Sequence, residues 1–145
     1  MRDLPRQLSE SELAELFEGH TRLVQKLAER SDPLGSANEV IGELSEAEKL
    51  EALDAHPAIG AKTLSTRSAA EQGSDEDPET RTELELLNRE YEERFGFRFV
   101  VFVNRRPKRE IVPILRDRLQ RSRDEELETA LRELVAIAED RWRRS

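Results

Sequence analysis

The sequence predicts an all-α fold: a single compact helical domain over 1–145, with about seven or eight helices and one buried extended segment near 97–103. Three observations carry that expectation. Apolar residues recur at spacings of three and four along most of the chain, which gives each helix one buried stripe. Three Ser/Glu pairs, Ser9/Glu12, Ser45/Glu48 and Ser122/Glu125, stand at the spacing at which each side chain satisfies a backbone N–H of a helix's first turn. A single segment, Phe97-Arg98-Phe99-Val100-Val101-Phe102-Val103, is aromatic and β-branched like a strand, and no second segment matches it.

The elements follow in order. Behind Ser9, the residues Leu13, Leu16, Phe17, His20, Val24 and Leu27 form one stripe and predict one helix, ended by Asp32-Pro33-Leu34-Gly35. A short helical piece is expected around 37–41. Ser45 starts the next helix, with Ala47, Leu50 and Leu53 on its face, and Pro57 disfavours helical geometry at His56, which places that histidine at the helix end. A short helix carrying Glu71 and Gln72 near its end is expected between 65 and 72, then a loop over 73–77. Asp77-Pro78 is a good helix start, with Leu84, Leu87, Tyr91 and Phe95 inward and Gly96 at the left-handed stop. The helix through Ile111, Leu115 and Leu119 is expected to hold Pro113 in or near its first turn. The last helix buries Leu127, Leu131, Leu134 and Ala138, and the same spacing lands on Arg141. A guanidinium on a buried stripe is costly unless it meets a partner or a bound anion.

Composition narrows the function classes. With 145 residues there is room for one core. A net charge of −8 opposes nonspecific binding to nucleic acid or to an anionic membrane, so neither is expected as a partner. Cysteine is absent, which excludes disulfides, thiol nucleophiles and thiolate metal sites. No apolar run approaches the roughly 20 residues of a membrane span, and no signal-like stretch is evident, so the expected location is the cytoplasm. The basic runs Arg105-Arg106-Pro107-Lys108-Arg109 and 141–144 read as solvated faces rather than a nucleic-acid surface.

The inventory for acid–base chemistry near neutral pH is two histidines. His20, on the stripe of the first helix, reads as a core or rim histidine. His56, at a helix end beside a proline and a turn of small residues, reads either as a cleft residue or as a histidine capping the helix dipole. The two are far apart and give no metal-ligand spacing, so no metal is expected. Arg141 is open between an inward anion-binding role and a terminal arginine with its head in water.

At these residues the chain resembles a known family, the OHCU decarboxylases, which act on 2-oxo-4-hydroxy-4-carboxy-5-ureidoimidazoline. Three motifs stand in family order. They are Leu50-Glu51-Ala52-Leu53-Asp54-Ala55-His56-Pro57-Ala58-Ile59-Gly60, Ser68-Ala69-Ala70-Glu71-Gln72 and Tyr91-Glu92-Glu93-Arg94-Phe95-Gly96-Phe97-Arg98-Phe99-Val100. The final helix ends with Arg141 before Trp142, as in the family. The chain departs from the usual pattern at Ala58, in the short stretch between His56 and Ser68, and at the turn Asn104-Arg105-Arg106-Pro107.

The resemblance implies an all-α homodimer, without a cofactor, that converts its unstable small-molecule substrate to (S)-allantoin with loss of carbon dioxide, a step of urate degradation. It implies His56 as general acid/base and Glu71 as its orienting or proton-sharing partner. Arg141 is then the anchor for an anionic or carbonyl part of the substrate. Pro57, Ser68, Ala69, Ala70, Gln72 and the backbone of Phe99, Val100, Val101, Phe102 and Val103 are expected to line the pocket. Two other readings stay open: a noncatalytic helical interaction module of the same fold, and a related lyase on a different small ureide or carboxylate.

Overall fold

A computed structural model describes residues 7–57 and 78–144. Among the described residues there are seven helices and no strands: α1 Glu10–Phe17, α2 Arg22–Leu27, α3 Ala37–Glu43, α4 Glu46–Asp54, α5 Pro78–Phe95, α6 Lys108–Arg118 and α7 Arg123–Arg144. The helix expected between 65 and 72 and the loop over 73–77 lie outside the described residues. The chain forms two compact units, Met1–His56 with Leu131–Ser145, and Pro57–Ala130, the second boundary falling within α7.

In the first unit α2 packs against α1, α3 and α4. Leu13, Leu23, Val24, Leu27 and Leu53 are fully buried there. Each such aliphatic side chain contributes on the order of 2 kcal/mol by leaving water. Both expected caps are present. The N–H of Glu12 donates to Ser9 Oγ at 3.1 Å while Glu12 accepts from the Ser9 N–H, and Ser45 and Glu48 repeat the exchange.

The stripe from Leu13 to Leu27 belongs to two helices, not one, and this corrects the sequence expectation. Glu18 closes α1 in the left-handed region (φ 62°, ψ 38°), and Thr21 opens α2, its hydroxyl accepting from the Val24 N–H at 3.4 Å. The intervening turn throws His20 outward. Its side chain is 65% exposed and its Nδ1 lies 3.5 Å from a Glu10 carboxylate oxygen, so it is neither a core nor a rim histidine. Leu13, Leu16, Phe17, Val24 and Leu27 are all buried even so, and their spacing runs through the turn without marking it.

In the second unit α5 packs against α6. Tyr91, Phe95, Phe97 and Phe99 form a cluster of tilted and edge-on rings, with centroids 4.6 Å apart for Tyr91/Phe95 and 5.2 Å for Tyr91/Phe99. Gly96 takes φ 80° at the end of α5, a conformation only glycine adopts without strain, and releases the chain into the nonhelical segment 97–103. Phe97, Phe99, Val100, Val101 and Val103 are buried, as expected of that segment.

Two further expectations need correction. Pro113 is the sixth residue of α6, not in its first turn, so the second turn lacks one backbone donor; Pro113 is exposed there, where water can serve the deprived carbonyl. The basic run after Asn104 is not wholly a solvated face: Lys108 is buried and Arg106 is half-buried, because the turn folds both back onto the protein. Arg141, at the head of the other run, is buried as well.

Candidate active site

His56 and Arg141 both lie in the first unit, and both are buried, at 7% and 2% exposure. Helix α4 ends at Asp54, Ala55 caps it, and the His56 N–H turns back to the Leu53 carbonyl at 3.2 Å. Pro57 then prevents the helix from continuing. The imidazole is thereby carried on a rigid helix end and withdrawn from bulk water, the setting in which a histidine can be tuned for proton transfer.

Arg141 is the inward residue that the α7 stripe predicted, and its partners are specific. Its Nη1 donates to the Leu16 carbonyl at 2.9 Å, and its Nη2 lies 3.3 Å from a Glu18 carboxylate oxygen. Leu16 lies in the last turn of α1, where backbone acceptors come free, and Glu18 is the residue that caps that helix.

The same turn touches the other side of the candidate site. A Cβ placed on Gly19 would stand 3.1 Å from the Ala55 Cβ, so the absence of a side chain lets the α1–α2 turn lie against the end of α4, one residue from His56. Close by, the Arg22 N–H donates to a Glu51 carboxylate oxygen at 2.8 Å. The segment 16–22 thus fixes Arg141 with its first residues and braces the helix that carries His56 with its last.

The remaining candidates divide between the second unit and the undescribed residues. Glu71, Ser68, Ala69, Ala70 and Gln72 lie outside the described residues. Pro57 is half-buried. Phe99, Val100, Val101, Phe102 and Val103 sit in the second unit, where arginines hold their carbonyls. Arg118 Nη1 donates to Val100 O at 2.8 Å, and Arg106 donates to Val103 O at 2.9 Å and Phe102 O at 2.6 Å. Arg118 is itself buried, 2.7 Å from a fully buried Glu126 carboxylate, and its guanidinium stacks 4.6 Å from the Phe99 ring centroid.

The Tyr91 hydroxyl completes this buried cluster with a 2.6 Å hydrogen bond to Glu126. Burial and that bond to a carboxylate push the tyrosine far above its ordinary range, so it is a fixed donor and not a proton carrier at neutral pH. Glu18, Arg106 and Arg118 are the residues that sequence reasoning missed. A signal existed for Arg118, since 111, 115 and 118 continue one helical stripe just as 134, 138 and 141 do. Among the described residues no group of acidic or histidine side chains has the arrangement of a metal site.

Comparison with known proteins decides the family. The family model described as OHCU decarboxylase matches residues 4–143. The chain belongs to the OHCU decarboxylase family. A 2-oxo-4-hydroxy-4-carboxy-5-ureidoimidazoline decarboxylase of Haloferax volcanii is 35% identical over 137 residues, covering 86% of this chain and 81% of that protein. A uric acid degradation bifunctional protein of a Bacillus species is 29% identical over 147 residues; the match takes in 91% of this chain and only 29% of that longer protein. The fold agrees. A crystal structure of OHCU decarboxylase in the presence of (S)-allantoin superposes with a TM-score of 0.76 at 22% identity, over 90% of this chain and 94% of the other. A crystal structure of (S)-allantoin synthase gives 0.68 at 22% identity, over 92% of this chain and 48% of that one. The all-α expectation and the family resemblance read from the sequence are therefore both correct.

Proposed function

We propose that this OHCU decarboxylase-family chain removes carbon dioxide from 2-oxo-4-hydroxy-4-carboxy-5-ureidoimidazoline to give (S)-allantoin in urate degradation. The observation that carries the reading is the family match across 4–143, together with a 35% identical relative of that name aligned over most of both chains.

The chemistry asks little of a cofactor. The carboxylate leaves from a carbon next to a ring C=N. As carbon dioxide departs, the bonding pair becomes a C=C bond to the neighbouring carbon, and the C=N pair passes to the ring nitrogen, which takes up a proton. The hydroxyl-bearing carbon then becomes a carbonyl: its hydroxyl loses a proton while the neighbouring carbon takes one on a single face. The protein has to orient the substrate and deliver that proton with stereochemical control.

His56 is the general acid/base of this scheme. Its burial on a rigid helix end supports the role, because a held imidazole in a dry site can deliver a proton to one face only. Glu71 orients His56 or shares its proton. Arg141 anchors an anionic or carbonyl group of the substrate, supported by its inward position and by the partners that fix its plane. Pro57, Ser68, Ala69, Ala70, Gln72 and the backbone of 99–103 line the pocket, where peptide groups outside a helix can meet the ureido and ring amides.

We further propose that 1–145 acts as one domain, which the single family match over 4–143 supports, and that the enzyme is a cytoplasmic homodimer. No helix among the described residues is long and apolar enough to cross a membrane. The test is to generate the substrate in situ from urate with a uricase and a hydroxyisourate hydrolase, and to follow (S)-allantoin by circular dichroism.

A further inference from the structure

We propose that Arg106 is a positioning residue of the decarboxylation site: it fixes the peptide groups of the 99–103 segment that meet the substrate. The inference rests on the reading that this backbone lines the pocket.

Three hydrogen bonds from one residue converge on two carbonyls. The Arg106 N–H and its Nε both donate to Val103 O, at 3.0 and 2.9 Å, and its Nη2 donates to Phe102 O at 2.6 Å. For the side chain to reach back in this way the chain must reverse tightly. It does so through Asn104 (φ 50°) and Arg105 (φ 61°), two successive non-glycine residues in the left-handed region. Such backbone is disfavoured and persists only where surrounding contacts hold it. Arg106 supplies that hold.

The consequence for the segment follows from planarity. All its peptide bonds are trans, so fixing a carbonyl also fixes the next residue's N–H in the opposite direction. Arg106, through Phe102 O, sets the Val103 N–H. Arg118, through Val100 O, sets the Val101 N–H from the buried end. On the reading that this backbone lines the pocket, its peptide groups are the ones that meet the ureido and ring amides of the substrate. A substrate is recognised this way only if those groups are already aimed, and a guanidinium fork across two carbonyls provides that aim more rigidly than an ammonium could.

Of the two arginines, Arg106 is the one to test, since it is half-buried and belongs to a turn, whereas Arg118 is locked into the aromatic core. The experiment compares wild type, Arg106→Met and Arg106→Lys by steady-state kinetics and by amide hydrogen exchange over 99–106. The Met variant keeps the apolar stem and loses the fork. We expect its KM to rise about tenfold with kcat changed by less than about threefold, the pattern of lost uniform binding. Exchange at 103–106 should accelerate together with that change, and the Lys variant should recover part of both.

If the Met variant exchanges faster but keeps the wild-type KM, Arg106 holds the turn and not the site, and the inference fails. Unchanged exchange and unchanged KM overturn it equally. A wild-type protein with no decarboxylase activity is a different result: it strikes the parent reading first and removes the positioning role with it.

Discussion

His56 and Arg141 are expected to fail in different ways when replaced, because one moves a proton and the other holds charge. His56→Asn keeps the size and much of the polarity of the imidazole, so the melting temperature should stay close to wild type while kcat drops on the order of a hundredfold or more. His20→Asn, at an exposed position, should leave both unchanged. Arg141→Ala should act chiefly on KM, and it should also destabilise the fold, since a buried side chain that bonds Leu16 O and pairs with Glu18 is removed. A crippling His20 variant beside an active His56 variant would invert the assignment. At this scale the sequence was informative about Arg141, whose inward direction follows from helical spacing alone. It was misleading about His20, which shares a spacing with the core residues and yet sits on a turn. Glu18 and Arg106 were not legible, because their partners are main-chain carbonyls or residues far along the chain, and no spacing rule encodes those contacts.

The elements owe their boundaries to short local rules, and these were the most readable part of the chain. All three Ser/Glu capping boxes form. Each ties the helix start to a carboxylate, and at two of them the consequence for pH has a definite sign. The backbone N–H of Ser45 holds the Glu48 carboxyl below its ordinary range, and that of Ser122 does the same for Glu125.

A carboxylate whose folded pKa is depressed stabilises the fold above its unfolded pKa, and that contribution is lost as pH falls through the folded value. The window therefore opens below about pH 4.3, the ordinary glutamate value. In a melting series from pH 7 to pH 3, the double variant Glu48→Gln/Glu125→Gln should melt lower than wild type at pH 7. The gap should close toward pH 3, since Gln keeps the capping hydrogen bond and removes only the titration. A gap that widened on acidification would contradict the cap geometry. What the local rules did not resolve was the α1–α2 break. Gly19 and Thr21 together encode it, a residue with no Cβ and an N-cap residue, but the continuous apolar stripe concealed them.

At the scale of the whole molecule, the fold class was legible because helical periodicity and caps agreed along nearly the entire chain, and the lone β-like segment had nothing to pair with. Its actual role is different from that of a strand: the 97–103 segment is buried among aromatic rings and held through its carbonyls by arginines of α6 and of the turn before it. The proposed homodimer is checked by sedimentation velocity, which should give about twice the 16.8 kDa chain mass at micromolar concentration; a monomer that is fully active would remove it.

The central claim is that this chain decarboxylates the ureidoimidazoline, and one assay meets it directly. Urate is oxidised and hydrolysed in the cuvette by a uricase and a hydroxyisourate hydrolase, this protein is added, and the circular dichroism of (S)-allantoin is followed in time. The account predicts that the signal appears faster than spontaneous decay, with a single handedness and a rate proportional to protein concentration. A folded protein that leaves the spontaneous rate unchanged and yields racemic allantoin would contradict it.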